Sequence, residues 1–162
     1  MALGEWLESF RELHERARGG KLSESELRNY HSGRDELATA LLAAQRMNVD
    51  PALPARHSLR VARAVQIDLA LSEGKQRCMT LDLSLSGFAT MMGKPPPLNE
   101  AIDVTLRMPD GVPLETRALV QGARRQGGSY RVSFAFKQLK EADAERLGFV
   151  IFDVALSLLR QP

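Results

Sequence analysis

The sequence predicts an α+β fold: an N-terminal α-helical hairpin, then a small antiparallel barrel or sandwich, then a C-terminal helix. Three observations predict it. Apolar residues recur at helical spacing as far as Met47, alternate with polar ones from about Val61 to Phe136, then crowd a last helical stretch from Glu141 to Arg160. Turn signals punctuate the alternating region at short intervals. No helical pattern interrupts it, which argues against a parallel doubly wound sheet.

The hairpin comes first. Trp6, Phe10, Leu13 and Ala17 share one helical face, and Gly19-Gly20 ends that helix. Ser23 followed by Glu26 is a capping-box pattern, so a second helix starts near Glu24. Leu27, Tyr30, Leu37, Leu41 and Ala44 continue its stripe, with a kink or break expected near Ser32-Gly33. His14 and His31 are expected on helix surfaces, without the short paired spacing of a metal site. Pro51 and Pro54 make residues 48–55 a linker. The expected organisation is therefore a hairpin at 1–47, a linker at 48–55 and a barrel domain at 56–162.

The alternation then marks the strands. Val61, Val65, Ile67, Leu69 and Leu71 point one way, with Arg60, Gln66 and Asp68 opposite. Met79, Leu81 and Leu83 alternate with Thr80, Asp82 and Ser84. Ile102, Val104, Leu106 and Met108 precede a Pro109-Asp110-Gly111 turn. A strand from Leu114 to Val120 follows. After a Gly127-Gly128 turn, Tyr130, Val132, Phe134 and Phe136 form the core face of the last strand. The final helix is apolar round most of its circumference, so it needs more than one neighbour. One side can cover the barrel; the other can meet the hairpin or a second copy of the chain.

Composition narrows the function. Of 162 residues 44% are hydrophobic, enough for a core. Twenty-two Lys and Arg nearly balance 20 Asp and Glu, a formal charge of +2, which argues against a general nucleic-acid binder and so against DNA as a partner. Cys78 is the only cysteine, which excludes an intramolecular disulfide and a cysteine-based zinc site and suits a cytoplasmic setting. The first residues lack a signal-peptide pattern. The run from Phe149 to Leu159 is too short for a membrane span and contains Asp153. His57 has no evident nucleophile or orienting group, so no enzyme is expected.

Two short stretches carry the chemistry. Arg56, Arg60 and Arg63 crowd the start of the strand region. Alone they suit a solvated strand edge. In extended chain, however, Arg56 and Arg60 lie roughly 13 Å apart at about 3.3 Å per residue, a reach that fits a large ligand. A guanidinium forks onto phosphate oxygens, bonds the edge of guanine or stacks on a base. The second stretch is Asp82-Leu83-Ser84-Leu85-Ser86-Gly87. Asp82 and Ser84, two apart, share a strand face. A carboxylate accepts the adjacent N1–H and amino donors of guanine, and a hydroxyl donates or accepts. Gly87 permits close approach to the backbone.

Arg56-x-x-x-Arg60 followed by Asp82-x-Ser84-x-x-Gly87 resembles the signature of the PilZ domain family, bacterial receptors for cyclic di-GMP. "YRVSFAF" at 130–136 and the helix after it are similar to that family's last strand and closing helix. The resemblance covers roughly Arg56 to Arg160. Ser133 stands where members often carry glycine, and Ala55 where many carry a basic residue. The resemblance implies a PilZ-type β-barrel that binds cyclic di-GMP as a ligand, with no cofactor and no metal. It implies that Arg56 and Arg60 hold guanine and phosphate while Asp82, Ser84 and Gly87 line the opposing barrel surface.

The function expected is a non-catalytic cyclic di-GMP receptor. It converts second-messenger binding into a change in domain orientation or partner interaction. A protein partner or homodimer is expected through the hairpin or the C-terminal helix. The alternative is an adaptor on the same fold that binds protein and no nucleotide. Single-stranded RNA binding would need aromatic stacking residues on a basic face. Tyr130, Phe134 and Phe136 instead share the core-facing phase.

Overall fold

The computed structural model describes residues 3–47 and 59–159. Its elements run α1 (Leu3–Arg18), α2 (Glu24–Met47), β1 (Gln66–Leu71), β2 (Gly74–Leu83), β3 (Gly87–Met92), β4 (Ala101–Leu106), β5 (Leu114–Gln126), β6 (Ser129–Lys137) and α3 (Glu141–Leu158). The expected linker 48–55, Arg56 and His57 lie outside the described residues.

The chain forms two compact units. One contains α1, α2 and the end of α3 from Ala155; the other spans residues 60–154.

In the first unit, local signals act as the sequence suggests. α1 closes through bonds from Gly20 N to the Ala17 carbonyl and from Lys21 N to the Arg16 carbonyl, both 3.0 Å. This double closure satisfies carbonyls that the helix end leaves open. The capping box is formed in both directions. Glu26 N donates to Ser23 Oγ at 3.2 Å, and Ser23 N donates to Glu26 Oε1 at 3.1 Å. Those bonds, with Arg16 nearby, hold the Glu26 carboxyl below its ordinary pKa.

Two expectations for the hairpin are corrected. α2 runs unbroken through Gly33. A Cβ there would sit 2.7 Å from the Phe10 ring, so this glycine admits an aromatic side chain rather than breaking the helix. His14 is buried, not on a surface. Its Nδ1 shares a 2.6 Å hydrogen bond with the Tyr30 hydroxyl, which also accepts from Arg34 Nε at 3.0 Å. Arg11 is buried too, and its Nη2 donates to the Leu156 carbonyl at 3.1 Å, near the end of α3. The hairpin core therefore mixes Phe10 and Leu37 with histidine and arginine; Arg11 packs its stem and bonds through Nη2, while its Nε and Nη1 are buried with no hydrogen-bond partner among the described residues.

The second unit is a closed antiparallel barrel of order β1-β2-β3-β6-β5-β4. Closure leaves no unpaired edge. The barrel-or-sandwich question is settled as a barrel. Ile67, Leu69, Leu83, Phe88, Ile102, Val104, Leu106, Leu114, Val132 and Phe134 fill the interior. Phe88 and Phe134 stack at 4.8 Å between β3 and β6. α3 buries Leu147, Val150, Ile151 and Phe152, and Arg146 joins it to the β4–β5 turn at Asp110 and the Val112 carbonyl.

The strands depart from the sequence reading in three places. β2 does not keep one apolar face. Its pairing with β3 shifts register between Thr80 and Asp82, so Thr80 and Leu83 are buried while Met79 and Leu81 are exposed. A bulge changes which side each later residue faces. β5 runs to Gln126, not Val120, because β6 continues to pair with it through the Gly127-Gly128 turn. Asp68 sits on the polar side of β1 yet is only 3% exposed. Arg107 Nη2 at 2.8 Å and Arg77 Nε at 3.1 Å grip its two oxygens.

That grip gives a pH prediction. Hydrogen bonds from Arg107, then Arg77, lower the Asp68 pKa in the folded protein. The folded carboxyl then binds protons less readily than the unfolded one, whose pKa is about 3.9. Its contribution to stability is complete well above that pH and fades as acid protonates the folded group. Asp68→Asn is expected to lower the melting temperature at pH 7 and to narrow its gap from the unsubstituted protein below about pH 4. A constant gap from pH 7 to pH 3 in thermal melts would contradict it.

Candidate ligand site on the outer barrel wall

The end of β2 positions the site. A two-way backbone bridge joins Val61 to Leu83, with bonds of 3.0 and 2.9 Å. It pins the chain just after Arg60 to the strand that carries Asp82. Arg60 Nη1 reaches Asp82 Oδ1 at 3.4 Å. The other oxygen, Oδ2, accepts from Arg131 Nη2 on β6. One carboxylate thus lies between two guanidiniums, with about a quarter of each arginine side chain exposed. Such a centre offers an acceptor to amide-like donors and cations to phosphate.

Beyond Asp82 the chain turns through Ser84 to Gly87 into β3. Ser84 is buried, and its hydroxyl accepts from Gly87 N at 3.1 Å and from Ser86 N at 3.2 Å. Its backbone N donates to the Gly87 carbonyl at 2.9 Å. Gly87 lies against β6, where an added Cβ would stand 1.9 Å from the Phe134 carbonyl oxygen. Ser84 and Gly87 therefore build the turn that holds Asp82, whereas the paired Arg60 and Asp82 side chains are partly exposed beside it.

Of the five residues singled out from the sequence, Arg60 and Asp82 are in direct contact. Ser84 and Gly87 form the adjoining turn. Arg56 falls outside the described residues. Arg131 is the participant that the sequence reading missed. The signal was present: Arg131 and Ser133 occupy the phase opposite Val132 and Phe134, and hence the outer wall. Among the described residues, no three of His, Cys, Asp and Glu cluster to hold a metal. None of the described helices is long and apolar enough to cross a membrane.

The architecture is a closed six-stranded antiparallel barrel followed by a helix, with an Arg–Asp pair beside a glycine turn. The chain belongs to the PilZ domain family, whose model matches residues 54–153. Solved structures share the fold at low identity. Escherichia coli YcgR in complex with c-di-GMP is 16% identical with a TM-score of 0.58, over 66% of this chain and 49% of that one. The Klebsiella pneumoniae MrkH–c-di-GMP complex is 18% identical with a TM-score of 0.58, over 68% and 57%. The Bacillus subtilis inhibitor of motility MotI/DgrA is 15% identical with a TM-score of 0.57, over 68% and 54%. The chain thus matches only about half the length of these proteins. No curated protein matches it in sequence.

Proposed function

We propose that this chain is a non-catalytic receptor for cyclic di-GMP. The convergence of Arg60 and Asp82 on the outer barrel wall, in a member of the PilZ family, carries the reading. Asp82 accepts the N1–H and amino group of one guanine. Arg60, with Arg56, holds phosphate and the second edge of the base. Ser84 and Gly87 fix the turn beneath. The related YcgR and MrkH structures are complexes with c-di-GMP, which supports the ligand class.

Each good bidentate contact contributes about 1–3 kcal/mol. Several of them, less the cost of ordering the ligand and chain, correspond to roughly micromolar affinity, about −8 kcal/mol. Engaging Arg56 together with Arg60 fixes the path of the segment between hairpin and barrel. That is the step by which binding changes domain orientation or exposes a partner surface. Calorimetric titration of the whole chain with cyclic di-GMP is expected to show saturable binding in that range. No heat and no shift in melting temperature at millimolar nucleotide would remove the assignment.

A second reading, a protein adaptor, draws on Met79 and Leu81, which expose apolar side chains on the outer face of β2 beside Asp82. Recovery of one partner unaffected by nucleotide and by Arg60→Ala would favour it.

A further inference from the structure

The strand register places a second pair of cations beside Asp82. Across the outer wall, Asp82 on β2 lies opposite Ala89 on β3, which lies opposite Ser133 on β6 and then Gly122 on β5. This row is small throughout after Asp82. The neighbouring outward row is Met91 on β3, Arg131 on β6 and Arg124 on β5. Arg131 and Arg124 are direct cross-strand partners and so project from the same face.

Like charges directly opposite one another destabilise a sheet. Arg131 relieves its own charge by reaching across β3 to Asp82. Arg124 is exposed, and no ion pair joins it to any carboxylate among the described residues. Arg131 is paired with Asp82, whereas Arg124 beside it is not, so this part of the wall carries uncompensated positive charge among the described residues. A cyclic dinucleotide carries two phosphodiesters, each a single negative charge. That positive charge neighbours the row of small residues that begins at Asp82.

We propose that Arg124 and Arg131 form a second anion grip on the cyclic dinucleotide, on the β5–β6 side of the wall. This rests on the receptor reading above. In the unliganded protein Arg131 occupies the acceptor that guanine needs. When guanine donors take the Asp82 carboxylate, the Arg131 guanidinium is released toward its cross-strand neighbour. The two guanidiniums then bind one phosphodiester between them, which converts a repulsive pair into a chelate. Ligand entry and formation of the grip are one exchange. No bond in the ligand is broken.

Arg124 is the cleaner probe, because removing it costs the unliganded protein no ion pair. Arg124→Gln is expected to weaken cyclic di-GMP binding at least about fivefold, since a charge-assisted hydrogen bond is lost. Its melting temperature without nucleotide should not fall, because the substitution removes no ion pair and relieves one cross-strand repulsion. Arg125→Gln is the control for general charge. Arg125 pairs with Tyr130 and faces the opposite side of the same hairpin, so its removal should alter affinity less than about twofold. In an Arg131→Gln background the loss caused by Arg124→Gln should shrink, because the pair acts as a unit.

Calorimetry on the full chain reads all of these. If unsubstituted protein binds and Arg60→Ala does not, yet Arg124→Gln binds like unsubstituted protein, the grip is wrong and the receptor reading stands. Equal weakening by Arg124→Gln and Arg125→Gln would also overturn the grip, in favour of unspecific attraction. If unsubstituted protein fails to bind, the receptor reading itself falls.

Discussion

Asp82→Ala is expected to weaken cyclic di-GMP binding at least about tenfold while leaving the barrel folded, since tenfold corresponds to about 1.4 kcal/mol. The reasoning starts from the unliganded state. The carboxylate is already satisfied by Arg60 and Arg131. Ligand binding therefore exchanges guanidinium donors for guanine donors rather than making bonds from nothing. The gain comes from what the exchange releases, two guanidiniums now free to meet phosphate. Without the carboxylate there is no acceptor for guanine, and Arg60 and Arg131 lose the charge that holds them together. Stability falls as well, because Arg60 and Arg131, each only about a quarter exposed, lose this carboxylate, but the apolar interior and the strand pairing of the barrel are untouched. Asp82→Asn separates charge from shape: one oxygen still accepts, so its loss should fall between the two. Arg60→Ala should weaken binding by a similar factor to Asp82→Ala. Calorimetry in which both variants bind as tightly as the unsubstituted chain would refute the site, while a collapse in melting temperature would instead mean that the ion pairs hold the barrel together.

Elements whose physics is local were legible in the sequence. The capping box at Ser23 and Glu26 and the stop at Gly20 depend on residues within one turn of each other. β4 and β6 were legible because alternation maps directly onto inside and outside when a strand is regular. β2 was not. Its bulge depends on how β3 pairs with it, which no window of β2 records, so Met79 and Leu81 were assigned inward and are exposed. The end of β5 was missed because Gly122 to Gln126 carry no apolar alternation; their partner strand alone keeps them extended. His14 is polar enough to suggest a helix surface, but its hydrogen bond with the Tyr30 hydroxyl makes burial tolerable.

The site divides in the same way. Arg60 and Asp82 were legible as spaced motifs, and the Val61–Leu83 bridge makes that spacing work. Arg131 lies 49 residues from Asp82 in sequence, and a strand searched for its core face says nothing about the opposite face. The hydroxyl and glycine of the second motif were read as ligand surface. Their geometry first serves the turn, through the Ser84 hydroxyl and the close approach of Gly87 to β6.

That close approach sets the largest expected effect on stability. Gly87→Ala would place a methyl carbon 1.9 Å from the Phe134 carbonyl oxygen, with the Phe134 carbonyl carbon at 2.9 Å and the Ala135 Cα at 3.1 Å. All three are backbone atoms, so no side chain can rotate away. Relief requires β6 to retreat from β3 or the Ser84–Gly87 turn to open. Retreat strains a seam of a closed barrel, and it also disturbs the stacked Phe88 and Phe134 rings. Opening the turn sacrifices the hydrogen bonds gathered by the Ser84 hydroxyl. Overpacking of this kind costs about 3 kcal/mol. For a chain of this size that lowers the melting temperature by roughly 6–12 °C. Gly93→Ala is the matched control, because a Cβ there meets nothing within 4 Å and its melt should be nearly unchanged. Two superimposable thermal melts, Gly87→Ala and the unsubstituted chain, would mean that β3 and β6 are farther apart than this geometry requires. Since the same turn carries Asp82, Gly87→Ala should also lose affinity for cyclic di-GMP, and the loss should follow the fold: restoring the native fraction by cooling should recover part of the binding, whereas cooling should not rescue Asp82→Ala.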